Sequence, residues 1–329
     1  MSASSVDLQR AVIEVFGGCN YSCVMCPQST GRGSNWTKKM PLALFENILD
    51  QLPGNPVISL EGDGEPTMAK DLPKYVQACT DRGFKSIIKT NGKFLTGQFM
   101  RDVIDAGLCF VRFSCIGYTP ELYKTWMSED SFELVKRNAI ATKQYIGESN
   151  SNCELSSYHL ILDNNNTEYE VEQYIANWID QVGCKASIWR THNWSGNYNS
   201  DYERTSKVKK TCGRPFAPDL FVRAGGLNGL YGAVGPCCQT MGPPTEDISV
   251  LGHFQNQTFD EIWYGEEYNK LRKAHEMEDW PEYCNNCDLL YEDTEILVWS
   301  NDSTATAGIL PGTQVDMLEI KSRINGNNS

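Results

Sequence analysis

The stretch GGCNYSCVMCPQS, residues 17–29, places three cysteines, Cys19, Cys23 and Cys26, in a Cys-x3-Cys-x2-Cys pattern with no fourth cysteine beside them. A structural zinc site closes with four protein ligands, and iron–sulfur clusters usually take four thiolates. Three thiols in so tight a loop leave one metal position open, and an open position is where chemistry occurs. A zinc site borrowing a distant fourth ligand is the alternative. The loop follows AVIEVF (11–16), which reads as a strand, so it lies at a strand's carboxyl end.

The same strand-then-loop grammar repeats downstream. PVISLEG (56–62), KSIIKT (85–90), CFVRFSC (109–115), SSYHLIL (156–162) and KASIWRT (185–191) are short, apolar and β-branched, as strands buried on both faces should be. Between them, PLALFENILDQL (41–52), DLPKYVQACTDRG (71–83), a segment near 96–106, the stretch to about 146 and TEYEVEQYIANWIDQVG (167–183) have helical spacing, the last with Thr167 as expected N-cap. Six such alternations predict a parallel sheet with helical crossovers. Ligands in these folds sit at the carboxyl ends of the strands. GDGEP, TNG and SCIG follow the second, third and fourth strands, so they should share one rim with the cysteine loop.

Near residue 192 the texture changes. HNWSGNYNSDYERTSKVKK (192–210) reads as a polar linker, and a domain boundary is expected near residue 205. Beyond it, DLFVRAGGLNGLYGAVGPCC (219–238) predicts a hairpin around a Gly-rich turn. TFDEIWYGEEYNKLRKAHEM (258–277) predicts one helix or two short ones, and YCNNC (283–287) is a tight CxxC. The expected division is 1–205, 206–300 and a tail over 301–329.

Composition narrows the function classes. The 329 residues are 40% hydrophobic and 22% charged, and no run of about 18 apolar residues suggests a membrane span. The N-terminus lacks the basic start and apolar stretch of a signal peptide, so a cytoplasmic location is expected. The net charge of −13 argues against a nucleic-acid partner. Thirteen cysteines, an odd number without an export signal, point to metal or redox chemistry rather than a disulfide framework.

The three-cysteine loop with GDGEP and TNG resembles the radical SAM superfamily over roughly residues 10–195. That resemblance implies a partial (βα)6 TIM-like barrel. It implies that Cys19, Cys23 and Cys26 hold a [4Fe–4S] cluster whose remaining iron is chelated by S-adenosylmethionine (SAM). An electron from the cluster then cleaves SAM to a 5′-deoxyadenosyl radical that takes hydrogen from the substrate. It further implies SAM contacts by Gly62, Gly64, Glu65 and Pro66, with Glu65 supporting a cationic amine. Asn91, Ser114, Ile161 packing on the adenine, and Met25 before the last cysteine complete the implied set. Two departures are Met25 where an aromatic is commoner, and Cys115 where an apolar residue is expected. Arg190 and His192, at the end of the sixth strand, are candidates for the substrate pocket or for a plain strand-to-linker turn.

The later cysteines resemble the twitch domain, a shortened form of the SPASM extension of this family. The resemblance implies that Cys212, Cys237, Cys284 and Cys287 bind one auxiliary [4Fe–4S] cluster, on a small hairpin-plus-helix domain. Cys238 competes with Cys237, because adjacent side chains cannot easily reach one cluster. A four-cysteine zinc ribbon is the structural alternative. Cys79, Cys109, Cys115, Cys153 and Cys184 read as buried small apolar residues. The length and the Cys…Cys…CxxC layout are similar to those of butirosin-type inosamine dehydrogenases within the family. Oxidation of a small molecule, with the auxiliary cluster as electron acceptor, is therefore expected. Peptide or protein modification (thioether formation, epimerisation or side-chain oxidation) is the alternative. With eighteen residues before Cys19, no leader-reading domain is expected. A flavodoxin- or ferredoxin-type reductant is implied. A non-catalytic iron–sulfur or zinc protein is the reading from another class.

Overall fold

The structure is a computed structural model that describes residues 6–31, 38–199, 206–240, 249–291 and 297–301. The expected boundary near 205 and the tail beyond 301 lie outside the described residues.

Six parallel strands form the frame: β1 (Leu8–Ile13), β2 (Gly54–Ser59), β3 (Ser86–Thr90), β4 (Phe110–Ser114), β5 (Glu154–Ile161) and β6 (Lys185–Arg190), each hydrogen-bonded to the next in sequence. Helix α1 (Pro27–Gly31) leaves the cysteine loop. Between strands run α2 (Leu42–Gln51), α3 (Leu72–Asp81), α4 (Gly97–Asp105), α5 (Pro120–Met127) and α6 (Phe132–Glu148). Each buries a stripe at helical spacing: Phe45, Ile48 and Leu49 on α2, Leu72, Tyr75, Val76 and Cys79 on α3, and Phe132, Val135, Ala139 and Ile146 on α6. This is the expected half-open α/β barrel.

The expected helix over 167–183 is α7 (Thr167–Tyr174), a π-helical turn (Ile175–Ile179) and α8 (Asp180–Val182), ended by Gly183 at φ +69°. Thr167 is its first residue rather than its cap. Asp163 instead accepts from Asn165 N–H and organises the turn just before it.

The C-terminal segment does not form a free-standing unit. Strand β7 (Asp219–Val222) pairs in parallel with the outer edge of β1, and turns back through β8 (Ala233–Val234) to β9 (Gly252–His253). Strand β10 (Leu297–Ser300) pairs antiparallel with β6 at the other edge. One ten-stranded sheet results, in the order β10-β6-β5-β4-β3-β2-β1-β7-β8-β9. The reason is general: a six-stranded open barrel leaves two edges with unpaired backbone groups, and both are covered here. The longer helical stretch is the pair α9 (Phe259–Trp263) and α10 (Glu266–Glu276), α9 opened by a Thr258–Glu261 capping box. The CxxC lies on α11 (Glu282–Asn285) and the turn after it. The polar linker also docks: Asn193 N–H donates to Asp288 at 2.9 Å, and Asn193 Nδ2 to Asn286 O at 2.7 Å. Among the described residues no helix is long and apolar enough to cross a membrane.

The rim forms because GDGEP is pressed against the cysteine loop. Glu65 N–H donates to Gly18 O at 2.8 Å. A Cβ on Gly64 would stand 1.8 Å from Phe16 O and 2.8 Å from the Gly17 carbonyl carbon, so only glycine allows this approach. Gly64→Ala must push one loop off the other. We expect a loss of about 1–3 kcal/mol, read as a melting temperature lower by roughly 1–5 °C; an unchanged melt would show that the contact is not required.

Candidate active site

A cavity of about 340 Å³ opens at the carboxyl ends of the strands, where the predicted rim motifs converge. Cys19, Cys23, Cys26, Gly62, Gly64, Glu65, Asn91, Ser114, Arg190 and His192 all line it. Met25, Pro66 and Ile161 are not on its wall. Met25 and Ile161 are in the hydrophobic core, and Pro66 is buried at the first position of the short turn Pro66–Met68.

The cysteine loop is held from several sides. Cys26 N–H donates to Cys23 O at 3.1 Å, closing a turn, and Pro27 then starts α1. Tyr21 N–H donates to Cys19 Sγ at 3.4 Å. Gln28 Nε2 donates to Gly17 O at 3.2 Å, and Val24 N–H to Trp126 O at 2.9 Å. Burial pushes the Cys19 thiol up to about 12, with the Glu65 and Cys26 charges adding to it. Burial also holds Cys23 well above the thiol range, reinforced by Cys26 and Cys19. Cys26 opposes the ionisation of both, so a cation among the three would favour their thiolate forms. That donor set fits an iron–sulfur cluster. Among the described residues no group of three His, Cys, Asp or Glu side chains forms a candidate single-ion site.

Glu65 is a hub rather than a free carboxylate. Its Oε1 accepts from Thr67 N–H (3.0 Å), Thr67 Oγ1 (2.6 Å) and Thr90 Oγ1 (2.6 Å), and its Oε2 from Asn91 N–H at 2.7 Å. It therefore ties GDGEP to TNG. Asn91 Nδ2 extends the tie to Asn20 Oδ1 at 2.8 Å, inside the cysteine loop.

Several site residues had gone unnoticed in the sequence. Glu14, just past β1, accepts from Asp63 N–H (2.9 Å) and Gly64 N–H (3.1 Å) with one oxygen and from Ala224 N–H (3.0 Å) with the other. It joins the GDGEP turn to the end of β7. Lys89 and Arg112 face each other in register on β3 and β4 and line the cavity. Lys89 pairs with Glu61 at 2.7 Å. Burial opposes the Glu61 charge, but Lys89 and Ser59 outweigh it and hold the carboxyl below its usual value. Tyr158 and Trp189 add an aromatic wall, and Trp194 lies against His192, the rings tilted by 32° with centroids 3.8 Å apart. Charged residues inside otherwise apolar strands, as in SIIKT and FVRFS, were the available signal.

The later cysteines gather beside the cavity. Burial raises Cys284 and Cys287, and each also senses Cys237 and Cys212. Burial pushes Cys237 up to about 11, against the nearby Arg214 cation. Cys212, Cys237, Cys284 and Cys287 thus form one electrostatic group, a four-thiol donor set suited to a closed cluster. Cys238 stands next to this group, where Cys237 and Cys212 both sense it, and it also lines the cavity with Gln239 and Leu289.

The fold and this thiol loop define a radical SAM protein. A model of the Radical SAM superfamily matches residues 13–207, and the chain belongs to that superfamily. A model described as an iron–sulfur cluster-binding domain, SPASM, matches residues 229–288. The chain is therefore a radical SAM enzyme, whose cofactors are a [4Fe–4S] cluster with SAM and auxiliary iron–sulfur in the SPASM region. It is similar to the AdoMet-dependent heme synthase of Oleidesulfovibrio alaskensis, 23% identical over 84% of this chain and 79% of that one. Its fold is similar to that of BtrN in complex with AdoMet and 2-DOIA (TM-score 0.54, 19% identity, 86% and 94% of the two chains). It is also similar to Streptococcus suis SuiB bound to precursor peptide SuiA (TM-score 0.60, 14% identity, 82% and 67%).

Glu65→Ala would leave Thr90 Oγ1, both Thr67 donors and Asn91 N–H without their acceptor. We expect a loss on the order of 2–4 kcal/mol, seen as a lower urea midpoint at unchanged slope. A midpoint equal to the parent's would mean that water replaces the carboxylate.

Proposed function

We propose that this enzyme oxidises a small molecule, with one auxiliary [4Fe–4S] cluster as the acceptor of the second electron. The observation that carries this is the shared wall: barrel residues and the C-terminal Cys238, Gln239 and Leu289 line a single cavity, beside the four-thiol group.

When bound, SAM and its cluster supply the 5′-deoxyadenosyl radical that abstracts substrate hydrogen. Cys19, Cys23 and Cys26 would hold three irons and leave the fourth to SAM. The GDGEP backbone, fixed by Glu14 and Glu65, would take the methionine part of SAM, with Asn91 and Ser114 beside it. Cys212, Cys237, Cys284 and Cys287 would hold the auxiliary cluster. Arg190, whose Nη1 donates to Asn164 Oδ1 at 3.0 Å, and the His192–Trp194 ring pair would contact substrate. Asn193 anchors this strip to the CxxC turn, so substrate contacts and auxiliary ligands share one support.

The cavity volume lies at the lower end of the range for small-molecule sites. The heme synthase, a relative aligned over most of both chains, is named for a small-molecule product. Both favour a small molecule, and a peptide entering by one side chain is the second reading, supported by the likeness to the peptide-bound SuiB fold. A flavodoxin- or ferredoxin-type protein would supply the first electron.

Anaerobic reconstitution followed by iron and sulfide analysis tests the two-cluster assignment. Two cubanes predict roughly eight irons in the parent and roughly four when Cys19, Cys23 and Cys26 are all replaced by Ala. Roughly four falling to none would leave no electron acceptor, and the oxidation reading would fail.

A further inference from the structure

Arg214 lies two residues after Cys212, on the short turn Arg214–Phe216, and is 7% exposed. Its Nη1 donates to Cys238 Sγ at 3.1 Å. Its Nε and Nη2 find no hydrogen-bond partner among the described residues. A guanidinium keeps its charge and all five N–H donors under any ordinary condition, so burying two nitrogens unpaired is costly. The turn is pinned from both directions: Phe216 N–H donates to Gly213 O at 3.0 Å, and Arg272 Nε donates to Pro215 O at 3.0 Å. The nearby Asp219 carboxylate pairs with Arg10 at 2.5 Å. What surrounds Arg214 instead is sulfur. Cys238, Cys237 and Cys212 all lie close enough for their sulfurs to act on its charge.

The vicinal pair explains the geometry. Cys237 faces the four-thiol group, while Cys238 lines the active cavity with Gln239, which is 6% exposed with an unpartnered Oε1. Cys238 opens the short turn Cys238–Thr240 and lines the cavity, whereas Cys237 does not.

We propose that Arg214 is a positioning residue of the auxiliary cluster: it holds Cys238 Sγ out of the ligand set, directs its two unpaired nitrogens toward the group held by the four thiols, and raises that group's reduction potential. Hydrogen bonds and positive charge near cluster sulfurs favour the more negative, reduced form. A cluster that must take one electron from a substrate radical gains from such a cation. The inference rests on the auxiliary-cluster assignment above.

The test uses the full-length chain with Cys19, Cys23 and Cys26 replaced by Ala, so that only the auxiliary group remains. Arg214→Gln and Arg214→Lys are made in that background and reconstituted without oxygen. Iron is counted, and the midpoint potential is read by redox titration with electron paramagnetic resonance. All three proteins should hold roughly four irons. The midpoint should be more negative in Arg214→Gln, with Arg214→Lys between it and the background protein. An unchanged midpoint in Arg214→Gln with iron retained overturns the proposal. If Arg214→Gln loses its iron, Arg214→Lys decides: a more negative midpoint supports the proposal and an unchanged one overturns it. Separately, Cys238→Ala should keep the iron and Cys237→Ala should lose it; the reverse pattern overturns the ligand choice. A background protein that binds no iron would remove the auxiliary-cluster assignment, and the proposal with it, before any Arg214 variant is compared.

Discussion

Three half-buried thiols crowded into one loop oppose one another's charge, and a cation among them removes that opposition. Cys19 and Cys23 are held far above the ordinary thiol range by burial and by each other's neighbourhood. The loop is nevertheless built as if their positions mattered, with Tyr21, Gln28 and Val24 each bonding to hold its shape. A protein gains nothing from crowding three protonated thiols at a cavity mouth, whereas a cluster needs thiolates fixed in advance. Much of the rim is arranged around that requirement.

Two buried carboxylates, neither of them a metal ligand, carry the arrangement outward. Glu65 gathers the second and third strand-end loops, and Glu14 joins the second to β7. Through Glu14 the SAM-side loop and the C-terminal hairpin share one anchor. The hairpin in turn covers the open edge of β1, and the segment after it carries Cys237 of the second thiol group and brings Cys238 to the cavity wall. Removing the hairpin would expose a strand edge as well as delete ligands.

The strand order and the rim motifs were legible because short apolar runs and glycine-bearing turns are local signals. The cysteine loop, GDGEP and TNG needed only their place after successive strands. Glu65 was legible as a site residue but not in its use, because Thr90 and Asn91 lie 25 and 26 positions away in the chain. Glu14 reads in sequence as one polar residue in a buried strand, and its partner at Ala224 is 210 positions distant. The C-terminal region read as a separate unit because its texture differs, whereas β7–β1 and β10–β6 pairing depends on which edges the barrel leaves open. Met25, Pro66 and Ile161 were drawn from family resemblance, and each is buried.

The central claim is that the first thiol group and SAM together perform reductive cleavage. The direct measurement is to reduce the reconstituted protein with dithionite in the presence of SAM and quantify 5′-deoxyadenosine and methionine. The parent should release both in equal amounts. The variant with Cys19, Cys23 and Cys26 replaced by Ala should release neither while keeping its auxiliary iron. A parent with its full iron content that leaves SAM intact would contradict the claim.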